Sequence, residues 1–469
     1  MNSGQQIHFI GICGTAMATV AALLKQRGHD VRGSDQNVYP PMSDFLAAER
    51  IPIMSPFAAD HITSDIDLVV VGNAISRGNP ELEEVLEQKI RYCSLPEAIR
   101  DHFLWDSRSI VLAGTHGKTT TTALTGALLV AGGLDPTVLV GGIVLGFGDG
   151  GSSYRVGRGR DFVIEGDEYD SAFFDKSATF LKYLPDIAVI NNIEFDHADI
   201  YADLDAVRLA FRRLVNLVPR NGLLLLGADS PHAAGLRQFA VSEVETFGTS
   251  SGATWRAENI RHADGLTWFT VMKADVPFGH FESPLLGVHN VRNALAGIAV
   301  GHRVGIPADR LVVGLRGFKG IKRRQEIVGV ERGVTVLDDF AHHPTAVHET
   351  LNALRTGYPG RRIWAVFEPR SASSCRRVFQ DDFAAAFGGA DETVIAGVFR
   401  SSLPESERLS EERLVTDLEA RGQRARYIKE VDDIVRTIVA EHKPGDVVML
   451  MSNGGFGGIH QKLLRALAA

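Results

Sequence analysis

The stretch Ile110-Val111-Leu112-Ala113-Gly114-Thr115-His116-Gly117-Lys118-Thr119-Thr120 decides the reading of this 469-residue chain. A short apolar run ends in a glycine loop and passes at once into threonines and a helical pattern, the order strand, loop, helix. Backbone N–H groups of such a loop, with the helix N-terminus, cradle a polyphosphate; the lysine neutralises the outer phosphates and the following hydroxyl can ligate Mg²⁺. The usual phosphate loop places four residues between its first glycine and Gly-Lys, whereas Gly114 is followed by only two before Gly117. The loop is therefore a compact version. A tight turn with a solvated lysine is the bland alternative, but the flanking strand and the Lys-Thr-Thr run favour nucleotide binding. Lys118 is expected to stand exposed, adding charge to the site and little to the core.

Metal-assisted phosphoryl chemistry also needs ligands at neighbouring strand ends. Phe162-Val163-Ile164 delivers Glu165-Gly166-Asp167-Glu168-Tyr169-Asp170, and Ile187-Ala188-Val189-Ile190 delivers Asn191-Asn192-Ile193-Glu194-Phe195-Asp196-His197. In an open parallel sheet the ligand crevice lies off the carboxyl ends of the strands, where both clusters emerge beside the phosphate loop. Either alone reads as a solvated loop; together they read as an Mg²⁺ shell. Further along, Gly287-Val288-His289-Asn290-Val291-Arg292-Asn293 puts Asn290 and Asn293 on one helical face. Asp338-Asp339-Phe340-Ala341-His342-His343-Pro344 follows another strand. Each of these two fits either a structural or a binding role.

Toward the N-terminus, Ile7 to Ile10, a glycine turn and a helix from Met17 to Gln26 form the start of a βαβ pattern. The turn, Gly11-Ile12-Cys13-Gly14-Thr15-Ala16-Met17, has Asp35 about 20 residues on, as a dinucleotide fingerprint does, but the middle glycine is replaced. NAD, the diphosphate of another nucleotide, or a plain turn all fit it. The chain thus reads as α/β in three domains: a Rossmann-like N-terminal domain over 1–106, a P-loop-type central ATPase domain over 107–320, and a Rossmann-like C-terminal domain over 321–469. At roughly 100 to 200 residues per domain, the length agrees.

Composition narrows the class. Apolar residues at 45% and charged residues at 23% are ordinary globular values, and the net charge of −8 disfavours nucleic acid as a partner. Cys13, Cys93 and Cys375 fall in no metal-binding spacing and point to a reducing compartment. The start Met1-Asn2-Ser3-Gly4 has no signal-peptide character and no apolar run reaches about 20 residues. No membrane partner and a cytoplasmic location are expected.

Assembled in order, these motifs resemble the Mur ligase family, the ATP-dependent amide-forming enzymes of peptidoglycan assembly. The resemblance spans the whole chain through residues 114–120, 165–170, 192–197, 287–293, Lys322-Arg323-Arg324 and 339–344. Within the family, Val38-Tyr39-Pro40-Pro41-Met42, Phe173-Phe174-Asp175-Lys176 and the stretch 451–460 are similar to the branch that joins UDP-N-acetylmuramate to the recycled murein tripeptide L-alanyl-γ-D-glutamyl-meso-diaminopimelate. A sister branch that adds free L-alanine is the alternative.

The resemblance implies an acyl phosphate made from ATP on the muramoyl carboxylate and then attacked by the peptide's amine. It implies ATP contacts from Gly114, Thr115, His116, Gly117, Lys118, Thr119 and Thr120, with Asn290 and Asn293 on the nucleotide, Asp339 on the ribose and Arg324 on the γ-phosphate. Catalytic weight falls on Lys118, His197 and Arg324. Thr119 and Glu165 would hold one Mg²⁺ and His197 a second. Gly11, Gly14, Thr15, Asp35 and Ser76 would hold the UDP portion. Arg370, Ser452 and Asn453 are candidates for the peptide. Several relatives carry a carbamylated lysine after the Asp-His pair; the matching place here is Phe211.

Overall fold

The computed structural model describes residues 4–40, 42–263, 265–399 and 403–469. Met1 to Ser3, and Pro41 of the 38–42 motif, lie outside them. The N-terminal unit is a five-stranded sheet, all parallel, in the order Ile53–Met54, Asp30–Ser34, Gln6–Ile10, Leu68–Val71, Tyr92–Ser94. Order 3-2-1-4-5 is that of a Rossmann half with its switch point beside the first strand. The helix Thr15–Gln26 follows that strand directly.

The central unit is a ten-stranded sheet. Its parallel core runs Glu243–Gly248, Leu223–Gly227, Ile187–Ile190, Arg108–Ala113, Asp161–Gly166, Thr137–Val144. The central strands Ile187–Ile190 and Leu223–Gly227 read as unbroken apolar runs because helices or loops cover both faces. The pleat divides the parallel core: Ile110 and Leu112 pack with the helices Lys118–Ala131 and Val288–Arg303, while Val111 and Ala113 pack on the opposite face with Phe180 and Phe211. An antiparallel run, Trp255–Ala263, Leu266–Lys273 and Val276–Ser283, extends one edge.

The C-terminal unit is a six-stranded sheet in the order Glu326–Glu331, Val334–Asp339, Val447–Met451, Ile363–Phe367, Glu392–Ile395, Arg424–Tyr427, parallel except for its first strand. The connection between central and C-terminal units is pinned to the central sheet. Leu145 N donates to Gly320 O at 2.9 Å and Lys322 N to Ile143 O at 2.9 Å. Among the described residues no helix is long and apolar enough to cross a membrane.

Candidate functional site

The glycine loop leaves the strand Arg108–Ala113 at its carboxyl end and enters the helix Lys118–Ala131. Two glycines make the turn possible. Gly114 has φ +135° and Gly117 φ +80°, and a Cβ on Gly117 would lie 2.5 Å from Asn293 Oδ1. The neighbouring strand end holds the loop in place, since His116 N donates to Asn192 Oδ1 at 2.7 Å and Thr115 N to Asn192 O at 3.0 Å.

Lys118 does not stand exposed. Its side chain is 11% accessible, with Nζ 2.8 Å and 3.1 Å from the two carboxylate oxygens of Glu168 and 3.7 Å from Asp167 Oδ1. The reason is topological: Asp161–Gly166 pairs with the strand that carries the loop, so its trailing acids reach over the lysine. Burial alone would weaken the ammonium charge, but Glu168 and Asp167 outweigh it and hold the lysine pKa above its usual value. Burial and the charge of Glu165 push the Asp167 carboxyl up to about 7, against the pull of Lys118.

The other charged residues form two linked groups. Thr119 Oγ1 donates to Glu165 Oε1 at 2.8 Å, the second Glu165 oxygen accepts from Gly141 N at 2.6 Å, and Arg324 Nη2 reaches Thr119 Oγ1 at 3.2 Å from the linker. His197 Nε2 lies 3.3 Å from Glu168 Oε1. Burial disfavours charge on His197, yet its hydrogen bond to Glu168 and the nearby Asp196 raise its pKa overall.

A cavity of about 380 Å³ opens between the central and C-terminal units. It is lined by His116, Gly117, Thr119, Thr120, Asn290, Asn293, Arg324 and Asp339, eight of the residues singled out from sequence, together with Ile193, Pro231, Phe247 and Leu285. Asn293 and Asn290 are joined by a 3.1 Å hydrogen bond, and Asn293 Oδ1 accepts from Thr121 Oγ1 at 3.1 Å. Asp339 accepts from Gln325 N at 2.8 Å and Ala341 N at 2.7 Å, which ties the linker to the first loop of the C-terminal sheet.

Gly11, Gly14, Thr15, Asp35 and Ser76 do not line this cavity. They gather off the carboxyl ends of three adjacent N-terminal strands, where Cys13 N donates to Asp35 Oδ2 at 2.9 Å. Arg370, Ser452 and Asn453 form a third group at the C-terminal sheet. Ser452 Oγ donates to Glu368 Oε2 at 2.5 Å, the Arg370 guanidinium sits 3.6 Å from the Phe399 ring centroid, and Asn453 Oδ1 is buried with no hydrogen-bond partner among the described residues.

Several residues of these sites were not assigned from sequence. Glu168 and Glu194 stood within quoted stretches, but nothing local separates them from their acidic neighbours. Arg323 was quoted only in the basic run; its Nη2 donates to Ser452 O at 2.6 Å and Gly454 O at 2.7 Å and shapes the loop of the third group. Thr345 and Ser373 gave no signal, yet Thr345 Oγ1 donates to Glu194 at 2.6 Å and Ser373 Oγ to Asp196 at 2.5 Å across the unit boundary.

Residues 6–104 match the Mur ligase family catalytic domain, 112–301 the Mur ligase middle domain and 323–454 the Mur ligase glutamate ligase domain. The chain is 40% identical, over 99% of both chains, to UDP-N-acetylmuramate–L-alanyl-gamma-D-glutamyl-meso-2,6-diaminoheptandioate ligase of Haemophilus influenzae. It is 39% identical to UDP-N-acetylmuramate–L-alanine ligase of Salinibacter ruber, over 96% of this chain and 92% of that one. A crystal structure of a murein peptide ligase from Psychrobacter arcticus superposes with a TM-score of 0.72 at 36% identity, covering 99% of each chain.

Proposed function

Because this chain belongs to the Mur ligase family, we propose how its residues divide an ATP-dependent ligation that forms an amide bond. The enzyme joins UDP-N-acetylmuramate to the murein tripeptide L-alanyl-γ-D-glutamyl-meso-diaminopimelate. The observation that carries this reading is the 40% identity, across 99% of both chains, with a ligase named for that reaction. The alanine-adding reading keeps one observation in its favour, the 39% identity to a ligase of that kind.

In the proposed division, the N–H groups of residues 114–120 and the N-terminus of the helix Lys118–Ala131 receive the phosphates. Lys118 exchanges its contact with Glu168 for the outer phosphates. Arg324 brings a second positive charge from the linker, supported by its position against Thr119. Asn290, Asn293 and Asp339 hold the nucleoside, with Phe247, Leu285 and Pro231 as an apolar wall for the base.

The donor set fits Mg²⁺. Thr119 Oγ1 and Glu165 supply a hydroxyl and a carboxylate 2.8 Å apart, and buried Glu168 sets a further carboxylate beside His197. Such an ion, when bound, neutralises and orients phosphate oxygens. His197 must release its proton before it can act as a ligand.

An oxygen of the muramoyl carboxylate attacks the γ-phosphorus of ATP, the bond from that phosphorus to the bridging oxygen breaks, and ADP leaves. The alanyl amine, as its neutral form, then attacks the acyl carbon; the C–N bond forms, the C–O bond to phosphate breaks, inorganic phosphate leaves, and the nitrogen gives up one proton. Positioning and charge neutralisation are what such chemistry asks of the protein. Gly11, Gly14, Thr15, Asp35 and Ser76 hold the UDP portion, and Arg370, Ser452 and Asn453 face the peptide. We take the units as 1–106, 107–320 and 321–469, and place the enzyme in the cytoplasm, where ATP and UDP-linked sugars are available.

The test is release of phosphate from ATP in the presence of Mg²⁺, UDP-N-acetylmuramate and tripeptide, with product mass as the readout. Release that requires both substrates and yields their condensed mass supports the reading. Release without either one overturns it.

A further inference from the structure

One cluster at the seam between the central and C-terminal units includes none of the Mg²⁺ ligands: His116 and Glu194 line the nucleotide cavity and His343 belongs to the C-terminal unit. His116 Nε2 lies 3.2 Å from Glu194 Oε2, and His343 Nδ1 lies 3.7 Å from the same oxygen. One ligand atom from each of the three residues falls within 4.8 Å of the others. We propose that His116, Glu194 and His343 form a binding site for a divalent transition-metal ion of the zinc type, separate from the Mg²⁺ ligands, which fastens the C-terminal unit to the ATP-binding unit.

The distances suit such an ion. With zinc–ligand bonds of about 2.0 to 2.2 Å, tetrahedral ligand atoms stand about 3.4 Å apart; the two edges from Glu194 Oε2, 3.2 Å and 3.7 Å, bracket that spacing, and the edge between the two imidazoles falls within 4.8 Å. Two imidazoles and one carboxylate with an open fourth position is a set that zinc accepts. Magnesium and calcium prefer all-oxygen shells, so two histidines select against them.

The surroundings prepare the donors. His343 Nε2 is 3.1 Å from the Phe195 carbonyl oxygen, which only accepts, so Nε2 carries the proton and Nδ1 keeps its lone pair toward the cluster. Thr345 Oγ1 donates to Glu194 Oε2 at 2.6 Å and orients that carboxylate. Nδ1 also accepts a long bond, 3.3 Å, from Thr345 N at the start of the helix Pro344–Gly357, and an ion would take over that lone pair. His116 and Glu194 belong to the central unit and His343 to the C-terminal one. A bound ion therefore bridges surfaces that must separate if product leaves through this seam.

Co²⁺ is the probe, because four-coordinate Co²⁺ absorbs visibly. Titrated into the full-length enzyme without nucleotide or Mg²⁺, it should saturate at one ion per chain and be displaced by Zn²⁺. Glu194→Gln and His343→Ala should each weaken Co²⁺ binding by about tenfold or more, while His197→Ala should leave it unchanged. Glu194→Gln preserves shape at a partly exposed position, so the comparison holds even where His343→Ala fails to fold. Absence of a saturable band overturns the proposal, as does a band that survives Glu194→Gln or is lost with His197→Ala. None of these outcomes depends on which amine the enzyme joins.

Discussion

Lys118 Nζ lies 2.8 Å from Glu168 Oε2, and the same carboxylate places its other oxygen 3.3 Å from His197 Nε2. A side chain that is 2% accessible thus joins the lysine of the phosphate loop to the imidazole after the third strand. Nucleotide binding must separate that lysine from Glu168, so Glu168 needs other positive partners in the working state. His197 and the arriving metal are the groups within reach.

Lys118→Ala should abolish ligation at saturating ATP and also destabilise the fold. Removing one partner of a buried ion pair costs about 3 to 5 kcal/mol, because the remaining charge is left uncompensated. The double variant Lys118→Ala/Glu168→Gln should regain much of the lost thermal stability while staying inactive. Melting curves and turnover on the two variants check this. Turnover within a few fold of wild type in the single variant would remove the lysine from the mechanism.

Activity should not depend on dissolved bicarbonate. Phe211 is fully buried, with its ring 5.2 Å from that of Phe180, and a phenyl group cannot be carbamylated. Rates in CO₂-depleted buffer should match those with added bicarbonate. A large loss that bicarbonate restores would mean that a lysine elsewhere is modified.

What could be read from the chain was what lies close along it. The strand, loop and helix around Gly114 announce themselves because an apolar run, two glycines and a threonine-rich helix stand side by side. The N-terminal and C-terminal parallel sheets were legible for the same reason. The antiparallel strands from Trp255 to Ser283 were not, since half-exposed Arg256 and Glu258 and exposed His280 break their apolar pattern. Pairings between distant residues were also hidden. Thr345 with Glu194, Ser373 with Asp196 and Glu168 with Lys118 depend on how the units dock, and sequence spacing carries no trace of that.

Asp229→Asn should lower stability near neutral pH by about 2 kcal/mol at most, and the deficit should shrink in acid. Asp229 accepts from Thr249 N at 3.0 Å and from Arg292 Nε at 2.6 Å. Burial works against its charge, but hydrogen bonds from the Ser250 hydroxyl, then from the Thr249 N–H and Arg292, prevail and lower its pKa from 3.8 to about 2. A carboxyl depressed in the folded state contributes stability above its unfolded pKa and loses it as pH falls through the folded one. The gap between wild type and variant in urea melts should be full at pH 6 and narrow between about pH 4 and 2. A gap that stays constant across that window would assign the effect to shape rather than charge.

Offered both amines at equal concentration, the enzyme should couple the tripeptide far faster than free L-alanine. The two present the same nucleophile, so chemistry at the acyl phosphate cannot separate them. Contacts remote from the amine must do so, by holding it in line for attack. The C-terminal unit carries groups suited to that: the Arg370 guanidinium against Phe399, the loop braced by Arg323, and the buried Oδ1 of Asn453, which has no hydrogen-bond partner among the described residues. A peptide with several carboxylates and amide N–H groups can satisfy them, whereas free alanine leaves them unpaired at about 1 to 3 kcal/mol each. Two such losses exceed a tenfold preference. Asn453→Ala should therefore cut the rate with tripeptide, and leave the KM for ATP and the slow alanine reaction nearly unchanged. Product mass from the mixed reaction decides between the branches: a dominant alanyl adduct would make this chain an alanine-adding ligase, with Arg370 and Asn453 holding no peptide.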